Sequence, residues 1–493
     1  MPPDTPRANL ATEEMLNNIF PVSCCLPGYE AQLSQSGVQH SINKLLETKA
    51  CFEKEYGSSV SCSLQPCKTE EETMSYRCNC TFQVILSKGM KFEYAMRTQR
   101  AVVPLQCSYF PIATKRIQRA MSALLGVLNS SPPIDENWDS RYATIATDAT
   151  VFRYPLLRVH LTSISFTSSW DEKECLVTLH YSPPGLLSLS SIADKSSNVQ
   201  QWIMQAEEAR LQCNATHLSG RSRGIHLSVP RMSSDKINGC EEKDSAVFLH
   251  DEITLSSVDQ HQLNIPSSIV TYHKPEGTFQ HPNPNVMYQA LHWLFSCMYN
   301  IRRNKQKSIS LLEMYCGYGA HTIPLCKTNM CDKVVTIEMD DRLVQACQAN
   351  CVLNQCSDVL TAIKADAGEI SRNILRARRK HRQQQQDGPQ SSSSSTQSST
   401  SHNLCSDSQH ILQDLKFDVL LVDPPRQGLD STVCEMANTI GSFQHILYIS
   451  CGRRALLRDL KLFNETFEVK SVEMLDLFPR TDSVETLVHL QRR

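Results

Sequence analysis

An α/β chain is predicted, with a doubly wound parallel sheet in its C-terminal half and an α+β region before it. Three observations carry this. Short apolar runs alternate with helical stretches from about residue 276 onward. A Gly-x-Gly turn follows the first of these runs, and an acid ends the second. The 493-residue chain is 41% hydrophobic and 20% charged, which suits a folded protein with room for more than one core.

The runs ISLLEM (309–314), KVVTIE (333–338), FDVLLV (417–422) and HILYIS (445–450) predict parallel strands, and VETLVHL (484–490) predicts a terminal strand. In the first half, FQVIL (82–86) and ECLVTLHY (174–181) are rich in β-branched and aromatic residues and predict strands. Ile117, Met121, Leu124, Leu125 and Leu128 recur at helical spacing, so Lys115 to Leu128 predicts a helix; Asn198 to Leu211 predicts another. The expected division is an α+β region over 1–275 and an α/β domain over 276–493. A polar insert interrupts the latter at about 383–410. Its Gln- and Ser-rich core, Gln383 to His402, has nothing apolar to bury and is expected to be disordered.

Lys and Arg number 49 against 51 Asp and Glu, a net charge of −2, which excludes a broadly basic nucleic-acid binder. Any such footprint must be local. Arg372, Arg376, Arg378, Arg379, Lys380 and Arg382 form one basic cluster, and Arg302, Arg303, Lys305 and Lys307 another. Each reads as a solvated face or as an RNA-backbone contact beside the crevice. Residues 1–20 carry Asp4, Glu13 and Glu14 and lack an apolar h-region, unlike a secretory signal or an Arg-rich presequence. No apolar run reaches the ~18 residues of a membrane span. A cytoplasmic protein, or a nuclear one, is expected, with no membrane contact and no obligatory protein partner. The 21 cysteines contain no paired C-x2-C repeat, so neither a zinc site nor an iron–sulfur cluster is expected. Most read as small buried hydrophobes.

The first C-terminal strand runs into Tyr315-Cys316-Gly317-Tyr318-Gly319. Glycines in the first βα turn let the backbone approach a nucleotide cofactor, and Glu338, ending the next strand, is placed to bind ribose hydroxyls. A dinucleotide fingerprint would need a third glycine where Thr322 stands. That glycine serves packing beside a pyrophosphate. S-adenosylmethionine has no pyrophosphate and suits the shortened turn better.

The strand FDVLLV ends in Asp423-Pro424-Pro425-Arg426-Gln427-Gly428-Leu429-Asp430, where two prolines stiffen a loop at the carboxyl end of the sheet. The next strand ends at Cys451. Consecutive strands are usually neighbours, so Asp423 and Cys451 are expected to border one crevice. Among the cysteines, Cys451 is the one that topology places at the ligand end.

Together these blocks resemble the RNA uridine-5-methyltransferase family, most closely its bacterial branch that methylates the T-loop uridine of tRNA. LLEMYCGYG (311–319), VDPPRQGLD (422–430), ILYISC (446–451) and DLFPRTDSVETLVHL (476–490) look like its C-terminal motifs. Tyr29-Glu30-Ala31-Gln32-Leu33, the stretch from Ser75-Tyr76-Arg77 through Phe82, and Phe110-Pro111-Ile112-Ala113 look like its N-terminal landmarks. The resemblance implies a Rossmann-like S-adenosylmethionine-dependent methyltransferase domain, an N-terminal RNA-binding region and tRNA as partner. It implies Cys451 as nucleophile and Glu485 as base. Cofactor contacts are implied at His281, Tyr315, Glu338 and Asp423, alongside Gly317 and Gly319 of the turn. The chain departs from the family pattern at several positions. His281 stands for a glutamine, Ala320 for an asparagine, Gly452-Arg453 for Asn-Pro, and Ser483 for a histidine.

The chemistry explains the cysteine. C5 of uracil is a weak nucleophile, and thiolate addition at C6 loads it with electron density. A base then removes the C5 proton. The target must be flipped out of its stack, which loop nucleotides allow cheaply. A cytosine-5 enzyme is expected to carry a second cysteine in the loop, where Pro425 and Arg426 stand. An amino-group methyltransferase is expected to carry an aromatic residue at Arg426 and gives Cys451 no role. A ribosomal-RNA uridine methyltransferase and a non-catalytic tRNA-folding protein on the same scaffold are the remaining alternatives.

Overall fold

The computed structural model describes residues 36–87, 91–97, 101–105, 108–130, 153–183, 195–223, 225–229, 247–255, 268–305, 308–386 and 416–493. The landmark Tyr29–Leu33, Lys307 and the insert from 387 to 410 lie outside them.

Among the described residues the strands form three sheets. β1 (Ser61–Gln65) is followed by β2 (Asn79–Leu86), β3 (Phe92–Arg97), β4 (Val102–Pro104), β5 (Leu161–Ser168), β6 (Cys175–Tyr181), β7 (His217–Ser222) and β8 (Ile225–Ser228). The last seven make a mostly antiparallel sheet in the order β4-β3-β2-β5-β6-β7-β8. β9 (Phe248–Thr254) and β10 (Ile269–Pro275) form a hairpin. The large sheet takes β11 (Ser310–Met314), β12 (Lys333–Glu338), β13 (Leu360–Lys364), β14 (Val419–Val422), β15 (His445–Ser450), β16 (Phe467–Leu475) and β17 (Glu485–Arg492). Its order is β1-β16-β17-β15-β14-β11-β12-β13.

β11 pairs in parallel with β12 on one side and β14 on the other. The strand order reverses there, and the carboxyl ends of such strands form the ligand crevice. β14 and β15 are parallel neighbours, as their sequence order suggests. The sheet is apolar on both faces because helices cover both. Along each strand, side chains alternate between two cores. Leu311, Val334 and Leu421 enter one, and Leu312, Met314, Val335, Leu420 and Val422 enter the other. The first of these cores continues into the N-terminal sheet through Phe82, Tyr94 and Phe166.

The helix over Lys115–Leu128 forms with the expected bounds. Thr114 caps it by accepting from Ile117 N, and Ile117, Met121, Leu124 and Leu128 are buried. The second expected helix extends over Lys195–Gln212.

Three expectations change. First, the division at 275 does not separate the sheets. The helix Gly37–Tyr56 buries Leu45 and Phe52 in the C-terminal core, and β1 pairs in parallel with β16. The edge of β16 needs a partner, and the N-terminal segment supplies it. Second, the helix Ala367–Gln386 runs through the start of the polar insert. Glutamine propagates a helix already nucleated, so Gln383 to Gln386 are helical. Third, the Arg302–Lys305 cluster sits at the amino ends of the parallel strands, away from the crevice. Arg302 pairs with Asp332, before β12, and Lys305 pairs with Asp418, before β14. In the other cluster, Arg379 pairs with Glu435 and Arg372 approaches Asp430. Part of each basic run is therefore neutralised within the chain.

Candidate active site

β15 and β17 are antiparallel, and Ser450 lies opposite Thr486. One step further along the same register sets Cys451 against Glu485. Cys451 follows the end of its strand, and Glu485 opens the next. Glu485 is buried, and its Oε1 has no hydrogen-bond partner among the described residues. Burial first, and then the charge of Asp423, pushes its carboxyl well above the ordinary range, while Arg426 opposes them. The Cys451 thiol is pushed up to about 11 by burial, then by Glu485 and Asp423, against Arg426. Asp423 is pushed up to about 6, first by burial and also by Glu313, with His321 opposing. The expected nucleophile, base and loop acid thus share one electrostatic site.

The loop after β14 is held close to Cys451 and Gly452. A side chain at Gly452 would place its Cβ 2.5 Å from the Arg426 carbonyl oxygen. The departure at Gly452 therefore fits a close passage of the Pro-Pro loop beside Cys451. Behind it, Asp459 accepts from Leu429 N (2.8 Å) and from the Tyr448 hydroxyl (2.7 Å). Both contacts fix the loop to the sheet.

The cofactor half lies at the ends of β11 and β12. Gly317 N donates to Glu338 Oε2 (3.1 Å), while Oε1 accepts from Met339 N (2.7 Å) and Asp340 N (2.9 Å). Three backbone donors thus hold the carboxylate at the mouth of the turn. Tyr315, Gly317 and Gly319 all have positive φ, at 67°, 57° and 86°. No atom lies within 4 Å of where a Gly317 side chain would begin, whereas at Gly319 Ile323 stands 2.8 Å away. The first glycine opens the cradle, and the second packs the turn on its helix. A flat nucleoside can approach this backbone with its ribose on Glu338. Tyr315 is half-buried, and burial followed by Asp366 and Asp430 raises its hydroxyl to about 12.

His281 Nδ1 lies 2.9 Å from the Asn283 carbonyl oxygen. With a proton on Nδ1, that contact is a hydrogen bond and Nε2 is an acceptor; Asn283 N lies farther from Nδ1, at 3.4 Å. Burial and then the neighbouring His321 lower its pKa to about 3, so the ring is neutral. Ala320, where the family resemblance expects an asparagine, accepts at its carbonyl from the Tyr272 hydroxyl (2.9 Å).

Sequence reading missed His321 and Glu313. His321 Nδ1 lies 3.5 Å from Glu313 Oε1, and both residues are buried. His321 links His281 to Asp423 electrostatically. Its signal was its place directly after the glycine turn. Glu313 gave none, because a glutamate inside an apolar strand reads as an irregularity. Phe279 was also passed over; it is 71% exposed, two residues before His281.

Among the described residues, no cluster of three or more His, Cys, Asp or Glu is placed to hold a metal ion. No described helix is long and apolar enough to cross a membrane.

The chain is similar to known proteins. The tRNA (uracil-5-)-methyltransferase family model matches residues 246–390 and 397–493. The tRNA/tmRNA (uracil-C(5))-methyltransferase of Cellvibrio japonicus is 26% identical over 469 residues, covering 94% of this chain and 96% of its own. Its namesake from Pseudomonas aeruginosa is 26% identical over 420 residues, covering 85% and 88%. The solved structure of Pyrococcus abyssi tRNA (uracil-54, C5)-methyltransferase in complex with S-adenosyl-L-homocysteine has a similar fold. Its TM-score is 0.50 at 16% identity, over 92% of this chain and 84% of that one. With β15, β17 and the glycine turn inside the matched segments, the chain belongs to the tRNA (uracil-5-)-methyltransferase family.

Proposed function

We propose that this protein transfers a methyl group from S-adenosylmethionine to C5 of a uridine in the T-loop of tRNA, with Cys451 as nucleophile and Glu485 as base. The observation that carries the reading is the register of β15 and β17, which sets the thiol against a buried carboxyl.

Cys451 Sγ adds to C6 of the uracil, and the C5–C6 π electrons move toward O4 as an enolate. S-adenosylmethionine supplies the electrophilic methyl group and brings a positive charge. The enolate electrons form the bond from C5 to that methyl as its bond to the sulfonium sulfur breaks, the electron pair staying on sulfur and S-adenosylhomocysteine leaving neutral. Glu485 then takes the C5 proton, the C5–C6 double bond re-forms, and Sγ leaves with its electron pair. Raised proton affinities at Cys451 and Glu485 suit a site whose charge state is set on binding. A cation beside two acids favours both thiolate and carboxylate.

Tyr315, Gly317, Gly319 and Glu338 fit the nucleoside part of the cofactor, and Asp423 and the acceptor Nε2 of His281 offer polar contacts nearer the nucleophile. Phe279 presents an aromatic face to water, which suits stacking of an extruded base. The N-terminal region is assigned to RNA contact. Thr81, Gln83, Ala95, Met96, Arg97, Thr162 and Ser163 line a concave patch of mixed polarity on its sheet, and its hydroxyls and the Arg97 guanidinium support the assignment.

The test is incubation with unmodified tRNA and methyl-labelled S-adenosylmethionine, followed by nucleoside analysis. 5-Methyluridine is expected, and none with Cys451→Ala. Appearance of 5-methylcytidine overturns the reading. So does tRNA binding without any methylated product, which marks a non-catalytic binder. Ribosomal RNA methylated in preference to tRNA transfers the substrate assignment.

A further inference from the structure

The base arrives on a loop that the chain's N-terminal segment grips. Residues 476–484 join β16 to β17 and end at Glu485. The loop passes through the left-handed region at Arg480 (φ 66°), and its carbonyls are capped from outside. Asn283 Nδ2 donates to the Leu477 carbonyl (3.0 Å), and the Tyr76 hydroxyl donates to that of Pro479 (3.1 Å). Lys44 Nζ donates to the carbonyls of Phe478 (3.0 Å), Thr481 (2.8 Å) and Ser483 (3.0 Å). It also forms an ion pair with Asp476 at the start of the loop.

Lys44 lies on the helix Gly37–Tyr56, and both it and Asp476 are buried. An ammonium has three N–H donors. Here they meet three carbonyls of one loop, and the carboxylate of the same loop balances the charge. Arg480, itself buried, reaches Glu70 (2.7 Å) and Thr73 (3.2 Å). Glu70 in turn accepts from Gly37 N (3.0 Å), so the start of the helix is tied to the same loop. A buried lysine is costly unless its partners are fixed, so this cluster rigidifies what it holds.

We propose that Lys44 is a positioning residue for the base. By gathering the carbonyls of Phe478, Thr481 and Ser483, it sets the course of the loop and hence the place of the Glu485 carboxyl against Cys451. The inference rests on the reading of Glu485 as the group that removes the C5 proton. It gives the N-terminal segment a part in the chemical step, besides covering the edge of β16.

The test is Lys44→Met in the full chain, which keeps the apolar stem and removes the donors. Three quantities are read: kcat for methyl transfer, KM for S-adenosylmethionine, and the steady-state fraction of protein bound covalently to tRNA. A misplaced base slows elimination, so kcat should fall about tenfold to a hundredfold, with KM for the cofactor changed by less than about twofold. The covalent fraction should rise, because the adduct forms but resolves slowly. A purely structural role lowers activity without raising that fraction, and this result overturns the proposal, as does an unchanged kcat. If Lys44→Met fails to fold, Tyr76→Phe removes the bond to the Pro479 carbonyl. It should raise the covalent fraction to a smaller degree, and an unchanged fraction overturns the proposal. Wild-type protein that makes no 5-methyluridine sinks the functional reading itself. Wild-type turnover matched by Lys44→Met sinks only the positioning role.

Discussion

Cys451 and Glu485 flank one antiparallel pair: Cys451 directly follows Ser450, Glu485 directly precedes Thr486, and Ser450 pairs with Thr486. A shift of one residue in that register turns the carboxyl to the opposite face of the sheet. The two groups are far apart in the chain, and the ladder alone brings them together.

Replacing Glu485 with glutamine keeps the shape of the site and removes the proton acceptor. Glu485→Gln is expected to form the C6 adduct and methylate it, then stall. A covalent protein–tRNA species should accumulate on denaturing gels, and turnover should fall by about 10²–10⁴. Cys451→Ala should show neither product nor adduct. Rapid turnover by Glu485→Gln would assign the proton to another group.

Alkylation of the free protein reports on the thiol. With the Cys451 thiol pushed up to about 11, its modification by iodoacetamide should be slow at pH 8 and rise steeply toward pH 11. Arg426 is the cation that opposes this shift. Arg426→Ala should therefore move the profile to higher pH and slow alkylation at pH 9. Faster alkylation in the variant would contradict the electrostatic account.

Gly452 is constrained by contact rather than by dihedral angle. Gly452→Ala sets a methyl 2.5 Å from the Arg426 carbonyl oxygen, so the Pro-Pro loop must move. Overpacking of this kind costs about 1–3 kcal/mol, to be read from chemical denaturation. Activity should fall further than stability explains, because the loop carries Asp423. A fully active variant of wild-type stability would show that the loop yields freely.

Glu276 ties the N-terminal sheet to the segment that carries Phe279 and His281. Burial raises its carboxyl, but hydrogen bonds from His226, Ser219 and Thr178, with the charge of Arg221, outweigh it. The pKa falls from 4.5 to about 2. A depressed carboxyl contributes stability that is complete above its unfolded value and is lost as pH falls through its folded one. By linkage this is about 3 kcal/mol, fading between pH 4.5 and 2. Glu276→Gln should be less stable at neutral pH and should lose less on acidification. Parallel stability curves for the two proteins across that window would refute the assignment.

The parallel strands were legible because their apolar runs are bounded by turns, and the glycine turn because Tyr315 to Gly319 directly follows one of them. The helix Lys115–Leu128 was legible to the residue from the spacing of Ile117, Met121, Leu124, Leu125 and Leu128, and the structure adds the Thr114 cap. The placement of Arg302 and Lys305 was not. A basic run carries no mark of which end of the sheet it will occupy; its pairs with Asp332 and Asp418, before β12 and β14, show that end only in the folded chain. His321 and Glu313 escaped for a related reason. Each looks ordinary alone, and only the turn over Gly317 and Gly319 brings them into a buried contact.

The sequence by itself determined the alternating strands, the cofactor turn with Glu338, the stiff loop after Asp423 and the position of Cys451 at the end of its strand. These are local properties, written by periodicity, glycine, proline and strand order. Tertiary structure alone decided that Glu485 lies beside Cys451, that Gly452 lies under the Arg426 carbonyl, and that Lys44 reaches across to the loop before Glu485. Antiparallel register and side-chain capping join residues distant in the chain, and their energies exist only once the sheet has closed.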